Sequence, residues 1–357
     1  MSSSSSDGYG PPMQGGRPRR PRGAVRPLGA TNRGAGAGAP AGQRRARRSR
    51  GRRRRGGLGR LLVTIVAVVA LFLVGLAGWA TLQLDTEPVR GLASPSWGEP
   101  TNVLIVGSDS REGMSREEQL ELSTGSQGGD LADTIIVLST QGSRSALLAF
   151  PRDLFVERCD GSSGRINAAV NIDGPSCLVE TVSAVSGLEI HHYLETRFLG
   201  FVDIVEAIGG VEMCLDDPIS DRKAGIDLPA GCQVLDGSDA LGYVRVRGID
   251  DDFGRMARQQ EFLGALAGEA TSPSTLLNPV RLARLADSAP RALTASDSVG
   301  PIALGRIGWG VLGLRGDAEA EIVPGQPATV GGAWVLEPTA ESEQVFERFR
   351  SGEALAR

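Results

Sequence analysis

The chain of 357 residues carries 38 Lys and Arg against 42 Asp and Glu, a formal net charge of −4, and is 41% hydrophobic. Lys223 is its one lysine, and His191 and His192 are its two histidines. That excludes a Gly-x-x-x-x-Gly-Lys phosphate loop and, with no nucleophile-elbow sequence, argues against Ser/His/Asp hydrolysis.

Residues 1–60 are mostly Ser, Gly, Pro and Arg. So little apolar content does not offset the entropy of ordering a backbone, so a disordered tail is predicted. The tail holds sixteen Arg, from Arg17 to Arg60, and one acid, Asp7, which makes it about +15 and leaves about −19 for residues 61–357. Such a tail suits nucleic acid on charge alone. It has no aromatic interleaving beyond Tyr9, and membrane topology with contact to anionic lipid already accounts for the charge, so no specific nucleic-acid partner is expected.

Residues 61–84 contain no charged side chain over 24 positions, enough to cross a ~30 Å hydrocarbon core at ~1.5 Å per residue. A cleaved signal peptide and a buried helix are the competing readings, but the run exceeds a signal core of roughly 7–15 residues. Trp79 fits an interfacial anchor, and the Arg cluster from Arg44 to Arg60 places the amino end in the cytoplasm by the positive-inside bias. The expectation is a single-pass cell-membrane protein whose chain after Asp85 is extracytoplasmic.

Residues 85–100, rich in Pro, Gly and Ser, read as a linker, and residues 101–357 as one globular domain. Short runs rich in Val, Ile and Leu at Asn102–Gly107, Thr134–Ser139, Ala146–Phe150, Val211–Leu215 and Ala240–Val246 predict strands covered on both faces. Between them, Leu178, Val182 and Val185 before Gly187 predict a helix, as do Phe198, Phe201, Val202, Val205 and Ile208 before Gly209-Gly210. Phe253–Ala265, Leu276–Leu293 and Ile302–Leu314 also read as helical, and Val323–Leu336 as a hairpin or loop. Strands alternating with helices predict a layered α/β/α sandwich.

Cys159 and Cys177 bracket one loop and Cys214 and Cys232 another, all after the apolar run. Even number and local spacing predict two disulfides, most simply Cys159 with Cys177 and Cys214 with Cys232, although four Cys permit three pairings. No Cys-x-x-Cys spacing supports a zinc site.

Cations concentrate in Tyr243-Val244-Arg245-Val246-Arg247 and in Arg255, Arg258, Gln259 and Gln260. Read as a strand, the first segment points Arg245 and Arg247 to one side. Read as a helix, the second lines Arg255, Arg258 and Gln259 into one stripe. Planar guanidinium groups pair bidentately with phosphate oxygens, and this arrangement suits a diphosphate. Asp109, Asp133 and the Arg152-Asp153 pair follow or open buried-looking strands, and strand ends of an α/β sheet are where ligands gather. Two Asp there suit Mg²⁺, which favours one or two carboxylates plus phosphate and water.

The ordered set NVLIVGSDSR, ADTIIVLS, PRDLFVE, GRINAAV, GFVDIVEAIGGVE, LDG, YVRVR and DFGRMARQQ resembles the LytR-CpsA-Psr family of bacterial wall-polymer transferases, over roughly residues 101–260. The Arg-rich, Lys-poor composition and paired Cys are similar to those of actinobacterial members. The resemblance implies an extracytoplasmic α/β/α domain with a groove for a polyprenyl chain. It also implies transfer of an anionic glycopolymer, such as teichoic acid or arabinogalactan, from a polyprenyl pyrophosphate carrier to peptidoglycan, at a muramic acid 6-hydroxyl. Asp109 and Asp133 would correspond to the family's Mg²⁺-associated carboxylates, with Mn²⁺ an alternative ion. Arg152, Arg245, Arg247, Arg255 and Gln259 would form its pyrophosphate-binding set, joined by Arg165, and Asp109 or Asp153 would accept the hydroxyl proton. The same site would serve a pyrophosphatase, and a non-catalytic glycan-binding protein would need no ordered metal. An insertion, Glu112–Asp130, separates the first two motifs, and Leu131 stands where many members have Arg.

Overall fold

The computed structural model describes residues 75, 78–108, 114–122, 132–246, 252–314 and 319–355. The predicted tail lies outside these residues, as does the predicted span except for residues 75 and 78–84. Among the described residues no helix is long and apolar enough to cross a membrane.

Fifteen strands and nine α-helices are used below. The strands are β1 (Asp85–Glu87), β2 (Thr101–Ser108), β3 (Ala132–Gln141), β4 (Arg144–Phe150), β5 (Phe155–Glu157), β6 (Ser163–Arg165), β7 (His192–Thr196), β8 (Val211–Leu215), β9 (Ile219–Asp221), β10 (Ile226–Leu228), β11 (Gly231–Leu235), β12 (Leu293–Ser296), β13 (Glu319–Ile322), β14 (Gly325–Val330) and β15 (Ala333–Pro338). The helices are α1 (Arg116–Glu121), α2 (Val170–Ser186), α3 (Phe198–Ile208), α4 (Gly237–Arg245), α5 (Asp252–Ala270), α6 (Pro273–Leu276), α7 (Pro279–Ala292), α8 (Pro301–Gly313) and α9 (Ala340–Arg350).

A mixed seven-stranded sheet, ordered β1-β12-β7-β2-β3-β4-β13, carries the domain. Its central strands alternate apolar side chains to both faces, as buried strands must. Leu104, Val106, Val137 and Leu148 join α2 and α9 in one core through Val179, Val182, Phe346 and Phe349. Val103, Ile136, Leu138 and Leu194 join α5 and α8 in the other through Met256, Ala267, Ala303 and Ile307. The result is the expected α/β/α layering. A third core binds α3, α4 and the β8–β11 ribbons through Val205, Ile208, Met213, Ile226, Tyr243 and Phe262.

Gly187 and Gly209 end α2 and α3 in the left-handed conformation, φ 67° and 88°, as their position after the apolar stripes predicts. Both disulfides, Cys159–Cys177 and Cys214–Cys232, are formed.

Several expectations are corrected. The linker is not free of structure: β1 pairs with β12 at the sheet edge, and Val89 is buried. β8 forms with the bounds expected, but it pairs with β11 outside the main sheet, so alternate residues stay exposed. The helix expected over Leu276–Leu293 forms as α7, beginning three residues later because the separate short helix α6 ends at Leu276; each starts with Pro at its first turn after a capping side chain, Ser272 and Asn278. The hairpin or loop expected over Val323–Leu336, by contrast, is found as the β14–β15 hairpin. The predicted strand Ala240–Val246 is helical. Asp236 caps α4 by accepting from Asp239 N at 2.9 Å, and Ala240, Leu241 and Tyr243 give it a buried face. Val244 and Arg245 of the alternating pattern that suggests a strand occupy the last turn of this helix, and Val246 ends it.

Candidate active site

The ends of β2, β3 and β7 converge with α3, α4 and α5 around a cavity of about 120 Å³. Its interior is apolar, with Ile105, Ile136, Phe201, Leu241, Phe262 and Leu263 among the lining residues. Polar groups on the same lining are Ser108, Asp133, Thr134, Arg197, Arg245, Arg255 and Gln259.

Arg245, Gln259 and Thr134 are held by local contacts. Arg245 leaves the final turn of α4, donates from Nη1 to Leu122 O at 2.8 Å and lies over the Phe198 ring at 5.2 Å. Leu122 closes the α1 turn, whose capping box of Ser115 and Glu118 organises part of the inserted segment. The insertion therefore reaches the site directly. Gln259 donates to Val244 O at 3.0 Å and accepts from Thr134 Oγ1 at 3.4 Å, tying α5 to α4 and β3.

Beside the cavity, Asp133 accepts from Arg152 Nη1 at 2.8 Å, and Arg152 Nε reaches Asp153 Oδ2 at 3.2 Å. Arg165 Nε pairs with Asp153 Oδ1 at 3.2 Å, and its Nη2 donates to Trp334 O at 2.7 Å. The chain Asp133–Arg152–Asp153–Arg165 thus links two cations to the cavity lining through Asp133. With its side chain only 9% exposed and each oxygen paired to a guanidinium, Asp153 is built to aim the two arginines rather than to present an oxygen to a hydroxyl.

Of the sequence-predicted set, Asp133, Arg245, Arg255 and Gln259 meet at the cavity, and Arg152, Asp153 and Arg165 join it through Asp133. Asp109 and Arg247 lie outside the described residues. The stripe of Arg255, Arg258, Gln259 and Gln260 does not act as one unit. Arg258 donates to Tyr243 O and Val246 O at 3.0 and 2.9 Å, and Gln260 donates to Glu321 O at 2.9 Å. These two side chains satisfy backbone carbonyls, those of Arg258 at the end of α4, which has no intrahelical donor for them. Arg197 and Phe198 were not anticipated at the site. The available signal was their position immediately before and at the start of the apolar stripe of α3.

For a divalent metal, the donor chemistry fits. No group of three His, Cys, Asp or Glu occurs among the described residues, but Mg²⁺ needs only one or two carboxylates when phosphate and water complete its shell. Asp133 supplies one on the cavity lining.

The LytR_cpsA_psr family model matches residues 83–298. The chain belongs to the LytR-CpsA-Psr family. It is 40% identical over 268 residues to the probable cell wall biosynthesis protein LcpB of Corynebacterium glutamicum, covering 73% of this chain and 63% of that one. Cell wall biosynthesis protein LcpA of the same organism is 31% identical over 282 residues, 67% of this chain and 54% of its own. The chain thus spans a little over half to under two thirds of these relatives' lengths. A polyisoprenyl-teichoic acid–peptidoglycan teichoic acid transferase, TagU of Bacillus mycoides, is 30% identical over 52% of this chain and 57% of its own. Among solved structures, a LytR-Csp2A-Psr enzyme from Actinomyces oris superposes with a TM-score of 0.58 at 20% identity, covering 74% of this chain and 95% of that one. TagT bound to LIIa-WTA superposes at 0.57 and 18%, covering 77% and 100%. These structures share the fold.

Proposed function

We propose that the protein transfers an anionic glycopolymer from a polyprenyl pyrophosphate carrier to a peptidoglycan hydroxyl. The observation that carries this reading is one cavity with an apolar interior and Arg197, Arg245 and Arg255 on its lining, with Arg152 and Arg165 joined to it through Asp133 and Asp153, a match for an isoprenoid joined to a diphosphate. The names of its relatives, wall-biosynthesis proteins and a teichoic acid transferase, support the same chemistry. The domain would lie outside the cell, held by residues 61–84 to the membrane that carries the donor.

In this reading the isoprenoid rests among Ile105, Ile136, Phe201, Phe262 and Leu263. Arg245 and Arg255, with Arg152 and Arg165, pair with the diphosphate oxygens. The acceptor hydroxyl forms a new bond to the phosphorus that carries the glycan, and the bond to polyprenyl phosphate breaks. The hydroxyl proton goes to a carboxylate, and the electron pair leaves with the phosphate. The arginines stabilise the charge growing on that leaving group, an electrostatic contribution preorganised by Asp153 and Leu122 O. Because Asp153 is engaged on both oxygens, the proton acceptor would be Asp109. Asp109 and Asp133 would hold Mg²⁺, which supplies further neutralisation of the diphosphate.

The test is to incubate the full chain with a labelled glycan on a polyprenyl pyrophosphate and peptidoglycan fragments bearing a free 6-hydroxyl. Labelled peptidoglycan with stoichiometric polyprenyl phosphate, abolished by a chelator and restored by Mg²⁺, is expected. Release of labelled glycan phosphate to water without labelled peptidoglycan would identify a pyrophosphatase instead.

A further inference from the structure

We propose that the chain has a second ligand site, a polar cavity at the end of the sheet opposite the candidate active site, and that this site takes a phosphate group carried on the hydroxyl-bearing glycopolymer. The inference rests on the transfer function proposed above and adds where a distant part of the polymer is held. The cavity, of about 500 Å³, lies between residues 89–95, the start of β7, the turn after β12 and the first turns of α8. Ser94, His192, Asp297, Ser298 and Arg306 are polar residues of its lining.

His192 is 3% exposed, yet only one nitrogen of its ring is satisfied. Nδ1 meets Ser298 Oγ at 2.9 Å, and Nε2 has no hydrogen-bond partner among the described residues. Buried polar atoms are nearly always paired, so an open one on a cavity lining marks where a ligand completes the set. The neighbouring serines suit a ring that donates from Nε2. Ser296 Oγ accepts from Tyr193 N at 3.0 Å, which frees its proton for Ser298 Oγ at 2.9 Å. Ser298 can then donate to Nδ1, leaving the ring hydrogen on Nε2; in the cationic ring Nδ1 donates to Ser298, which donates to His191 O at 3.2 Å.

Helix α8 supplies further donors. Pro301 fills its first position and the N-cap Gly300 has no side chain to accept, so the N–H groups of Ile302 and Ala303, both on the lining, open the helix at its positive end without a capping side chain. Arg306 adds a full charge one turn further on. Its guanidinium stands 5.6 Å from the Trp97 ring centroid and forms no ion pair among the described residues. Burial, His191 and Arg306 hold the His192 imidazole down to about 4, a repulsion that an anion between ring and guanidinium would relieve. A guanidinium fork, an imidazole and helix N–H groups together form the donor set of a phosphate. Asp297, a carboxylate on the same lining, disfavours a bare anion and accepts from a hydroxyl, which selects a phosphate borne on a sugar or polyol.

Position favours the same ligand. His192 lies opposite Val103 and Thr196 opposite Gly107, and Gly107, Ser108 and Thr196 belong to the candidate active site. The two sites therefore occupy opposite ends of the same strands, ~17 Å apart over the five positions from Val103 to Ser108 at ~3.3 Å each. Asp85 pairs with Thr294, and Thr294 with Glu195, so the chain enters the sheet at the active-site end and reaches the second site through residues 89–95. With residues 61–84 in the membrane, a polymer extending from its lipid-borne diphosphate would run away from the bilayer, towards this end.

The chain's two histidines make the test direct. The full chain with isotope-labelled histidine, in detergent, is titrated with inorganic phosphate, with a glycerol phosphate oligomer and with glycerol while the ring signals are followed by NMR. The His192 signals are expected to move saturably with both phosphates and not with glycerol, the oligomer binding more tightly, and the pH at which this ring titrates should rise. His191, whose Nδ1 accepts from Asn102 N at 3.0 Å, is the internal reference. Arg306→Gln should weaken both phosphates by about 10-fold or more at an unchanged melting temperature. Asp297→Asn should tighten inorganic phosphate and reduce the advantage of the oligomer. In the glycan-transfer assay Arg306→Gln should raise KM for a long-chain donor by more than for a single-repeat donor. No movement of His192 with either phosphate would overturn the site. Equal affinity for the two phosphates would assign it to free phosphate and overturn the polymer as its ligand. Movement of His192 with the oligomer in a parent chain that transfers no glycan would count against the proposed function and leave this site standing.

Discussion

Arg255 and Arg258 stand one turn apart on α5 and look equivalent in sequence, yet the structure gives Arg258 a folding role. Its residue is 9% exposed, and its guanidinium donates to Tyr243 O at 3.0 Å and Val246 O at 2.9 Å while lying 5.9 Å from the Tyr243 ring centroid. A hydrogen bond to a charged group contributes about 1.5–3 kcal/mol, and the ring contact about 0.5–1 kcal/mol. Replacement by Met keeps much of the buried stem but strands two carbonyls that water reaches only in part, so Arg258→Met should cost about 3 kcal/mol. For a domain of this size each kcal/mol moves the melting temperature by roughly 2–4 °C, giving a fall of about 6–12 °C. Arg258→Lys, which keeps the charge without the fork, should recover at most about half. Thermal scans of the full chain at fixed pH read both values. A fall of less than about 2 °C for Arg258→Met would refute the capping role and return Arg258 to the pool of ligand candidates.

Arg245→Ala should leave the circular dichroism spectrum unchanged and lower turnover in the glycan-transfer assay by about 10²-fold, and activity within about twofold of the parent would remove Arg245 from the site. Asp153→Asn should lower turnover by about 10-fold or more through misplacement of Arg152 and Arg165, while a bell-shaped pH profile, if present, keeps its acid limb; loss of that limb would instead make Asp153 the base. Burial depresses the His192 imidazole from 6.5 to about 4, assisted by His191 and Arg306. The unfolded chain therefore binds this proton first, so the stabilisation is complete above about pH 6.5 and is lost as pH falls towards 4, by up to about 3 kcal/mol. Denaturant titrations should show that loss, and His192→Gln should flatten it. Reduction of the two disulfides, each closing a sequence separation of 18, should lower stability by about 3 kcal/mol per bridge in the chain-entropy estimate, read as a shift in denaturant midpoint between oxidised and reduced protein.

The central sheet was legible because β2, β3 and β4 are buried on both faces and need unbroken apolar runs, and the α2 and α3 stops were legible because a left-handed C-cap calls for Gly. Edge and short strands carry no such signature. β1, β7, β12 and β13 owe their conformation to pairing with neighbours distant in sequence: Asp85 opposite Thr294, and His192 opposite Val103. At α4 two local signals conflicted, β-branched residues at Val244 and Val246 against an Asp236 cap, and the cap with a buried helical face prevailed. For the site, residue types identified the chemistry but not the division of labour. Both arginines donate to backbone carbonyls, and what separates them is place: Arg245 stays on the cavity lining, whereas Arg258 is turned to the end of α4.

The charge distribution bears on how such a site would work. Residues 61–357 carry about −19, so in the proposed reaction the body would repel an anionic polymer while the cavity arginines would attract its diphosphate. At physiological salt the Debye length is about 8 Å, and exposed charges further away than that are largely screened. Binding would therefore depend on contacts made at the arginines themselves, where Arg152 and Arg165 are held by Asp133 and Asp153 and Arg245 by a backbone carbonyl. Those partners keep the cations from over-binding by taking part of their hydrogen-bonding capacity in advance. The apolar pocket then adds affinity that is indifferent to charge. In the proposed transfer, once the glycan phosphate had moved to the acceptor the leaving lipid would hold one phosphate where two were bound, and the site would lose half of the charge that held its ligand.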